Sequence, residues 1–352
     1  MAGRPTENSV RVGLVLTHQY RTGSDLFAAV AEQRETLHFI RDRGWDSVMV
    51  GQHFLAESLV TLQPLPLLAH AAADSGDMQV CVGIVLLSLV NPVEAAENYA
   101  TLDALCGGRL VFGVGLGYRD VEYAAFGVDP SEKVRRFVAN LDIIRRLWSG
   151  ESVDADLPWC QLSEAKLTML PIQRPGPAIW MAAHSDAAVR RAARMADAWY
   201  MPPHATTKSI VRQLEVLRSE RLRVGLPMPA TMPLRREIYC APTRAQALEA
   251  AFPYLGEKYR TYSQWGQDRV MPGEGSASFA RPVAELEDER FVIGTPDECL
   301  AQLLPWTKLG VNHFVFKTSW PGMPFPVALQ SLDLLTREVL PVLKAAKLQE
   351  QR

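Results

Sequence analysis

Short runs of apolar, mostly β-branched residues alternate along this chain with longer stretches whose apolar positions recur every three or four residues. The first pattern predicts strands and the second amphipathic helices. Strands are expected at Val12–Thr17, Asp46–Val50, Gln79–Val85, Arg109–Val114, Ala178–Ala182, Ala198–Met201, Arg235–Cys240 and Asn312–Lys317. Helices are expected at about 25–43, 65–74, 91–105 and 207–223, with a last one over about 325–348. In Asn91-Pro92-Val93-Glu94 an Asn caps, a Pro fills the first helical position and a Glu reaches back. Thr295-Pro296-Asp297-Glu298 repeats that signal, and Thr243 and Ser185 open two further helices. After Tyr118 the next helix is expected to begin only at Asp129-Pro130-Ser131-Glu132, with Val134, Phe137, Leu141, Ile144 and Trp148 on its apolar face. Pro305 lies inside the helix that starts at Thr295 and predicts a kink or an early end.

Two segments break the rhythm. Residues 150–178 hold Pro158, Pro171, Pro175 and Pro177 and read as an irregular insertion with the makings of a hairpin; residues 264–290 read as a second insertion. The remainder counts to eight strand–helix units. Continuous apolar strands joined by crossover helices imply a parallel sheet covered on its faces. Eight such units close most naturally into a (β/α)8 TIM barrel, here a single domain over 1–352, with a doubly wound open sheet as the alternative. The 352 residues would otherwise suggest two domains, but a barrel needs only about 250, and the two insertions account for much of the surplus.

Composition narrows the function classes. With 37 Lys+Arg against 39 Asp+Glu the net charge is −2, which leaves no electrostatic footprint for nucleic acid or an anionic membrane. The longest apolar run, Val80 to Val90, is interrupted by Ser88 and is shorter than the ~20 residues of a membrane span. The polar start of the chain lacks the apolar core of a signal peptide. Five widely spaced cysteines form no C-x-x-C motif and predict reduced, buried thiols in a cytoplasm.

Three constellations could carry chemistry. Gly113, Gly115 and Gly117 alternate at the end of a strand without opening a helix, so they are no dinucleotide fingerprint. They allow either a close approach of a bound molecule or tight packing at the rim. His53, in Gly51-Gln52-His53-Phe54, lies just past the second strand, where barrel active sites are built, and an imidazole there serves as acid or base. His18, His184 and His204 fall on the same rim, with no spacing that suggests a metal. Ser185, in Ala183-His184-Ser185-Asp186, caps a helix whose free N–H groups suit a phosphate.

At these residues the chain resembles the bacterial luciferase-like family of flavin-dependent oxidoreductases over roughly residues 10–345. The marks are Gly51-Gln-His-Phe54, the stretch from Gly83 to Pro92, the stretch from Ala100 to Tyr118, Ala183 to Arg190, and Gly294-Thr-Pro-Asp-Glu298. The resemblance implies a (β/α)8 barrel and a cofactor that is reduced FMN used with O2, or the deazaflavin F420. It implies that His53 is the catalytic histidine and Gln52 its pocket-lining neighbour. Gly83 and Ile84 match a strand bulge that often holds a non-proline cis peptide against the flavin ring. Leu116, Gly117 and Tyr118 match the flavin-side rim. A relative that grips phosphate with Arg at the place of Leu116 has no equivalent here, which shifts that task to Ser185, His184 and Arg119. Where relatives often have His, Asn91 keeps the helix cap.

The expected function is that of a flavin-dependent monooxygenase oxidising a small organic substrate through a peroxyflavin, with FMN reduced by a separate reductase and a homodimer formed through the outer helices. An F420-dependent hydride transfer and a non-catalytic flavin-binding partner protein are the alternatives. Trp159, Tyr259, Tyr262 and Trp265, in or beside the insertions, are candidates for an apolar substrate pocket.

Overall fold

The computed structural model describes residues 9–271, 279 and 281–348. Nine strands form one parallel sheet: β1 (Arg11–Val15), β2 (Ser47–Val50), β3 (Gln79–Leu86), β4 (Leu110–Gly115), β5 (Ala178–Ala182), β6 (Ala198–Tyr200), β7 (Pro233–Cys240), β8 (Phe291–Gly294) and β9 (His313–Lys317). Their order is β6-β5-β4-β3-β2-β1-β9-β7-β8. The helices are α1 (Leu26–Ile40), α2 (Pro64–Ala72), α3 (Pro92–Leu105), α4 (Asp120–Ala125), α5 (Lys133–Trp148), α6 (Asp186–Met195), α7 (Thr207–Arg223), α8 (Arg244–Gln264), α9 (Val283–Arg290), α10 (Pro296–Lys308), α11 (Phe325–Leu334) and α12 (Leu340–Lys344).

The sheet curls strongly. In the strand order β5 and β9 are five steps apart, about 24 Å across a flat sheet at ~4.8 Å per strand. Yet the rings of Trp180 on β5 and His313 on β9 lie 5.0 Å apart, edge to face. Likewise the Tyr200 hydroxyl on β6 reaches the Met49 sulfur on β2 at 2.9 Å. An inner layer of Val15, Met49, Cys81, Val111, Trp180 and Val315 therefore meets across the interior, while the larger apolar cluster fills the space between sheet and helices. One isolated parallel bridge, Met201 to Leu234, joins the end of β6 to β7 through Met201 N–H to Pro233 O (2.9 Å) and Arg235 N–H to Met201 O (3.2 Å).

Most of the local signals act as expected. Asn91 accepts from the Val93 N–H at 2.8 Å, Ser185 from Ala188, and Thr295 with Glu298 forms a complete capping box. The 150–178 segment contains the hairpin Val153–Leu157 with Cys160–Ala165. It is fastened to α3 by buried Asp103, which accepts from the Gln173 N–H at 3.0 Å and its amide at 2.7 Å.

Other expectations are corrected. Helix α10 runs through Pro305 to Lys308, because buried Trp306 and Thr307 hold its last turn against the core. A helix absent from the expectation, α4, stands before Pro130, and Asp129 caps only a 3-10 turn that leads into α5. The 264–290 segment is more regular than an insertion: it holds a 3-10 turn at Gln267–Val270 and α9, while its residues 272–278 and 280 lie outside the described ones. Phe291–Gly294, to which the sequence pattern assigns no element, is strand β8 and brings the sheet to nine strands where eight were expected. The final helix contains a π turn at Leu335–Val339.

Candidate active site

The C-terminal ends of the strands surround a cavity of about 440 Å³. Gln52, His53, Gly83, Ile84, Leu116, Gly117, Tyr118, His184 and Ser185, the residues singled out from sequence, all line it. They reach it from four different strand ends, β2, β3, β4 and β5. The Gly83–Ile84 peptide is cis. Gln52 is fixed beside it, its carbonyl accepting from the Leu86 N–H at 2.9 Å.

The alternating glycines divide the two tasks left open for them. A Cβ at Gly113 would fall 2.0 Å from the carbonyl oxygen of Val82, so that glycine serves strand packing. Gly115 meets the Ile84 side chain in the same way but also lines the cavity. Gly117, at φ +83°, lines it as well, in a backbone conformation that favours glycine.

His53 is held from several sides. Its Nδ1 lies 3.3 Å from Glu122 Oε1, on α4. The same oxygen accepts from the Phe54 N–H at 2.9 Å and from Arg119 at 3.3 Å. With two other donors converging on it, Glu122 Oε1 acts as acceptor, so Nδ1 of His53 carries the proton and Nε2 is the nitrogen free for exchange. Gln63 donates to the His53 carbonyl at 2.9 Å. The rings of Tyr118, Tyr262 and Trp265 flank the imidazole at 5.9, 5.8 and 5.2 Å. Glu122 is 1% exposed, and the sequence offered no capping or spacing signal to mark it.

Arg119 is part of this clamp and not a phosphate ligand. It is buried, donates to the carbonyls of Phe54 and Leu55, and stacks 4.3 Å from the Trp265 ring centroid. The cationic groups that do line the cavity near the α6 N-terminus are Arg191 and Lys133. Ser185 caps α6 there, its hydroxyl accepting from Ala188.

The side of the cavity reached by β7 and α8, with β9 buried behind it, was not foreseen. Arg235 lines the cavity, and Glu237 and Lys317 are buried beside it. Lys258 on α8 pairs with Glu237, whose second oxygen accepts from the Trp320 indole at 2.6 Å. Burial lowers the Lys258 ammonium to about 8 against the pull of Glu237. Burial, with Lys258 and Arg235 nearby, lowers Lys317 to about 7. Burial and then Lys317 hold His18 well below the usual histidine range, so it is neutral. His204 is neutral for the same first reason, and its Nδ1 faces the Tyr259 hydroxyl at 3.3 Å.

Of the aromatic candidates, Tyr262 lines the cavity and Trp265 packs on His53. Tyr259 lies deeper, against His204. Trp159 lies elsewhere, its indole donating to Asn140 at 2.9 Å, because the hairpin carries it to the outside of α5. Among the described residues no group of three or more His, Cys, Asp or Glu is placed to hold a metal. Among them, too, no helix is long and apolar enough to cross a membrane.

A family model described as luciferase-like monooxygenase matches residues 10–313. The phthiodiolone/phenolphthiodiolone dimycocerosates ketoreductase of Mycobacterium tuberculosis is 30% identical over 250 residues, 64% of this chain and 65% of the relative. The chain thus spans just under two thirds of that protein's length. The oxygenase component of the flavin-dependent trigonelline monooxygenase of Acinetobacter baylyi is 24% identical over 322 residues, 88% of each chain. Among solved structures, the oxygenating constituent of 3,6-diketocamphane monooxygenase from a Pseudomonas putida plasmid, in complex with FMN, superposes with a TM-score of 0.78. That match has 18% identity and covers 97% of this chain and 100% of the other.

Proposed function

This chain belongs to the luciferase-like monooxygenase family, and we propose that it is a flavin-dependent monooxygenase that uses reduced FMN and O2 to oxygenate a small organic substrate, with His53 as its acid–base residue. The observation that carries the reading is His53 itself, oriented by Glu122 at the wall of a cavity where the strands end.

The residues present fit a phosphorylated flavin. The cavity falls within the ~300–1,000 Å³ of small-molecule sites. Gly115 and Gly117 leave room at its rim for a flat ring system, flanked by Ile84 and Leu116. The α6 N-terminus, with Ser185, His184, Arg191 and Lys133 near it, offers N–H groups and positive charge for the phosphate. The Tyr118 hydroxyl is buried with no hydrogen-bond partner among the described residues and is available to a polar edge of the ligand.

Reduced FMN, when bound, supplies the electron pair that activates O2. The chain's own part is to hold and move a proton at His53 Nε2 while Glu122 keeps Nδ1 protonated. Tyr118, Tyr262 and Trp265 pack around the imidazole and limit the water that reaches it. A separate reductase, of the kind implied by the oxygenase-component name of the Acinetobacter relative, would deliver the reduced flavin. The Met201–Leu234 bridge supports reading the curled sheet as a closed (β/α)8 barrel and the chain as one domain. The five cysteines, all buried and unpaired, support a cytoplasmic setting.

The likeness to a ketoreductase favours a second reading, in which the same cavity takes F420 and the reaction is a hydride transfer. Titrating the protein with reduced FMN and reduced F420 separates the two. FMN is expected to bind at least ten times more tightly, and the reverse order would replace the first reading with the second.

A further inference from the structure

We propose that the wall formed by β7, β9 and α8 is an anion-binding subsite that selects substrates carrying a carboxylate or a similar oxyanion. This rests on the reading of the adjoining cavity as the site of the reaction.

Three cationic side chains meet one carboxylate here. Side chains alternate along a strand, and Val315 belongs to the inner layer, so Lys317 two residues on turns to the same interior. Residue pairing sets Lys317 opposite Glu237 on the neighbouring strand, and Arg235 is two residues before Glu237. Lys258 comes down from α8 and takes Glu237 for itself. With the Trp320 indole on its other oxygen, Glu237 is committed, and Lys317 Nζ is left buried with no hydrogen-bond partner among the described residues.

The other unpartnered buried atoms around it are donors as well. Among the described residues Arg235 Nε has no hydrogen-bond partner, and neither does Gln19 Nε2, whose carbonyl accepts from Tyr262 at 3.2 Å. Arg235 and Tyr262 line the cavity, which connects this cluster to the space where a substrate would sit. A group of donors rich in positive charge, with Glu237 already bonded on both oxygens, calls for a ligand group that accepts. An oxyanion is that group, and a neutral alcohol or amide is a poorer match.

The wall is separate from the phosphate end proposed for the flavin. Ser185, Lys133 and Arg191 belong to α6 and α5, next to β4 and β5, whereas Arg235 and Lys317 belong to β7 and β9.

The test uses matched pairs that differ in charge and little in shape: formate against formamide, and benzoate against benzamide. Binding is followed by calorimetry on the full chain, with and without saturating FMN. Each carboxylate is expected to bind at least tenfold more tightly than its amide with FMN present. Lys317→Met and, separately, Arg235→Met should bring that ratio to within twofold. Equal binding of acid and amide by the unaltered protein overturns the proposal. So does a preference that vanishes when FMN is bound, which would assign the cations to the flavin. An unchanged ratio in both variants overturns it as well. Failure of FMN to bind while the carboxylate preference persists would count against the monooxygenase reading and leave the subsite standing.

Discussion

The two walls of the cavity solve the problem of buried charge in opposite ways. On the β2–β4 side, Glu122 Oε1 receives His53, Arg119 and the Phe54 N–H, and Arg119 spends its remaining donors on backbone carbonyls and the Trp265 face. On the β7–β9 side, Lys258 takes the carboxylate of Glu237, and Arg235 Nε and Lys317 Nζ are left without a hydrogen-bond partner among the described residues. A paired buried charge fixes a geometry, and an unpaired one stores a cost that a ligand can relieve. The first wall is built to orient a proton-transfer group before any ligand arrives. The second is built to be completed.

The largest expected effect tests the first wall. His53→Ala should lower the rate of substrate oxygenation by about 10²–10⁴-fold, the usual contribution of a general acid or base. FMN affinity should stay within a fewfold, measured by flavin fluorescence. A variant as fast as the unaltered enzyme would remove His53 from the chemistry.

Glu122→Gln and Lys317→Met then set the walls against each other. Glu122→Gln leaves Arg119 without its carboxylate and is expected to lower unfolding stability by ~1–3 kcal/mol. It should also shift the pH profile of kcat, because the tautomer of His53 is no longer imposed. Lys317→Met removes an uncompensated buried charge and should raise stability, by ~1–4 kcal/mol if it behaves like other replacements of buried charges by apolar residues. Denaturant melts of both variants give the two signs. Two losses of similar size would show that the walls do not differ in the way their contacts suggest.

The gain from Lys317→Met should depend on pH. The ammonium is lowered to about 7 in the folded protein, whereas an unfolded lysine stays near its ordinary value. Between those values the unfolded chain binds more protons, so the unaltered protein gains stability as pH rises. Its deficit against Lys317→Met is therefore full below pH 7, still large at pH 7, and smaller at pH 9. Thermal melts at both values check this, and a constant difference would show that Lys317 does not titrate in that window.

The smallest effect concerns the N-terminal end of α6, which also borders the cavity. Ser185→Ala removes the cap on α6 and should cost about 1 kcal/mol of stability. A loss of FMN affinity beyond the change in stability would place the phosphate there.

Much of the fold was legible because its signals are local. Strand–helix alternation, the Asn91 and Thr295 caps and the Ser185 cap depend on residues within a few positions of one another. Strand β8 escaped because Phe291–Gly294 follows α9 without a break and leads straight into a capping box. Helix α4 escaped because its six residues have no capping side chain at Arg119. At the site, His53 and Ser185 stood out by their position after strands, but Arg119 was given the wrong task, since its partners Phe54, Leu55 and Trp265 are distant in sequence.

The sequence by itself determined the family, the strand–helix rhythm and the rim on which the candidate residues gather, because periodicity, caps and motifs are read from neighbouring residues. Only the tertiary structure decided how the charges combine. Glu122 meets His53 across 69 positions and Lys258 meets Glu237 across 21, and no local pattern records either contact. Whether a buried lysine is paired or left waiting for an anion depends on which strands the curled sheet brings together and where α8 crosses them.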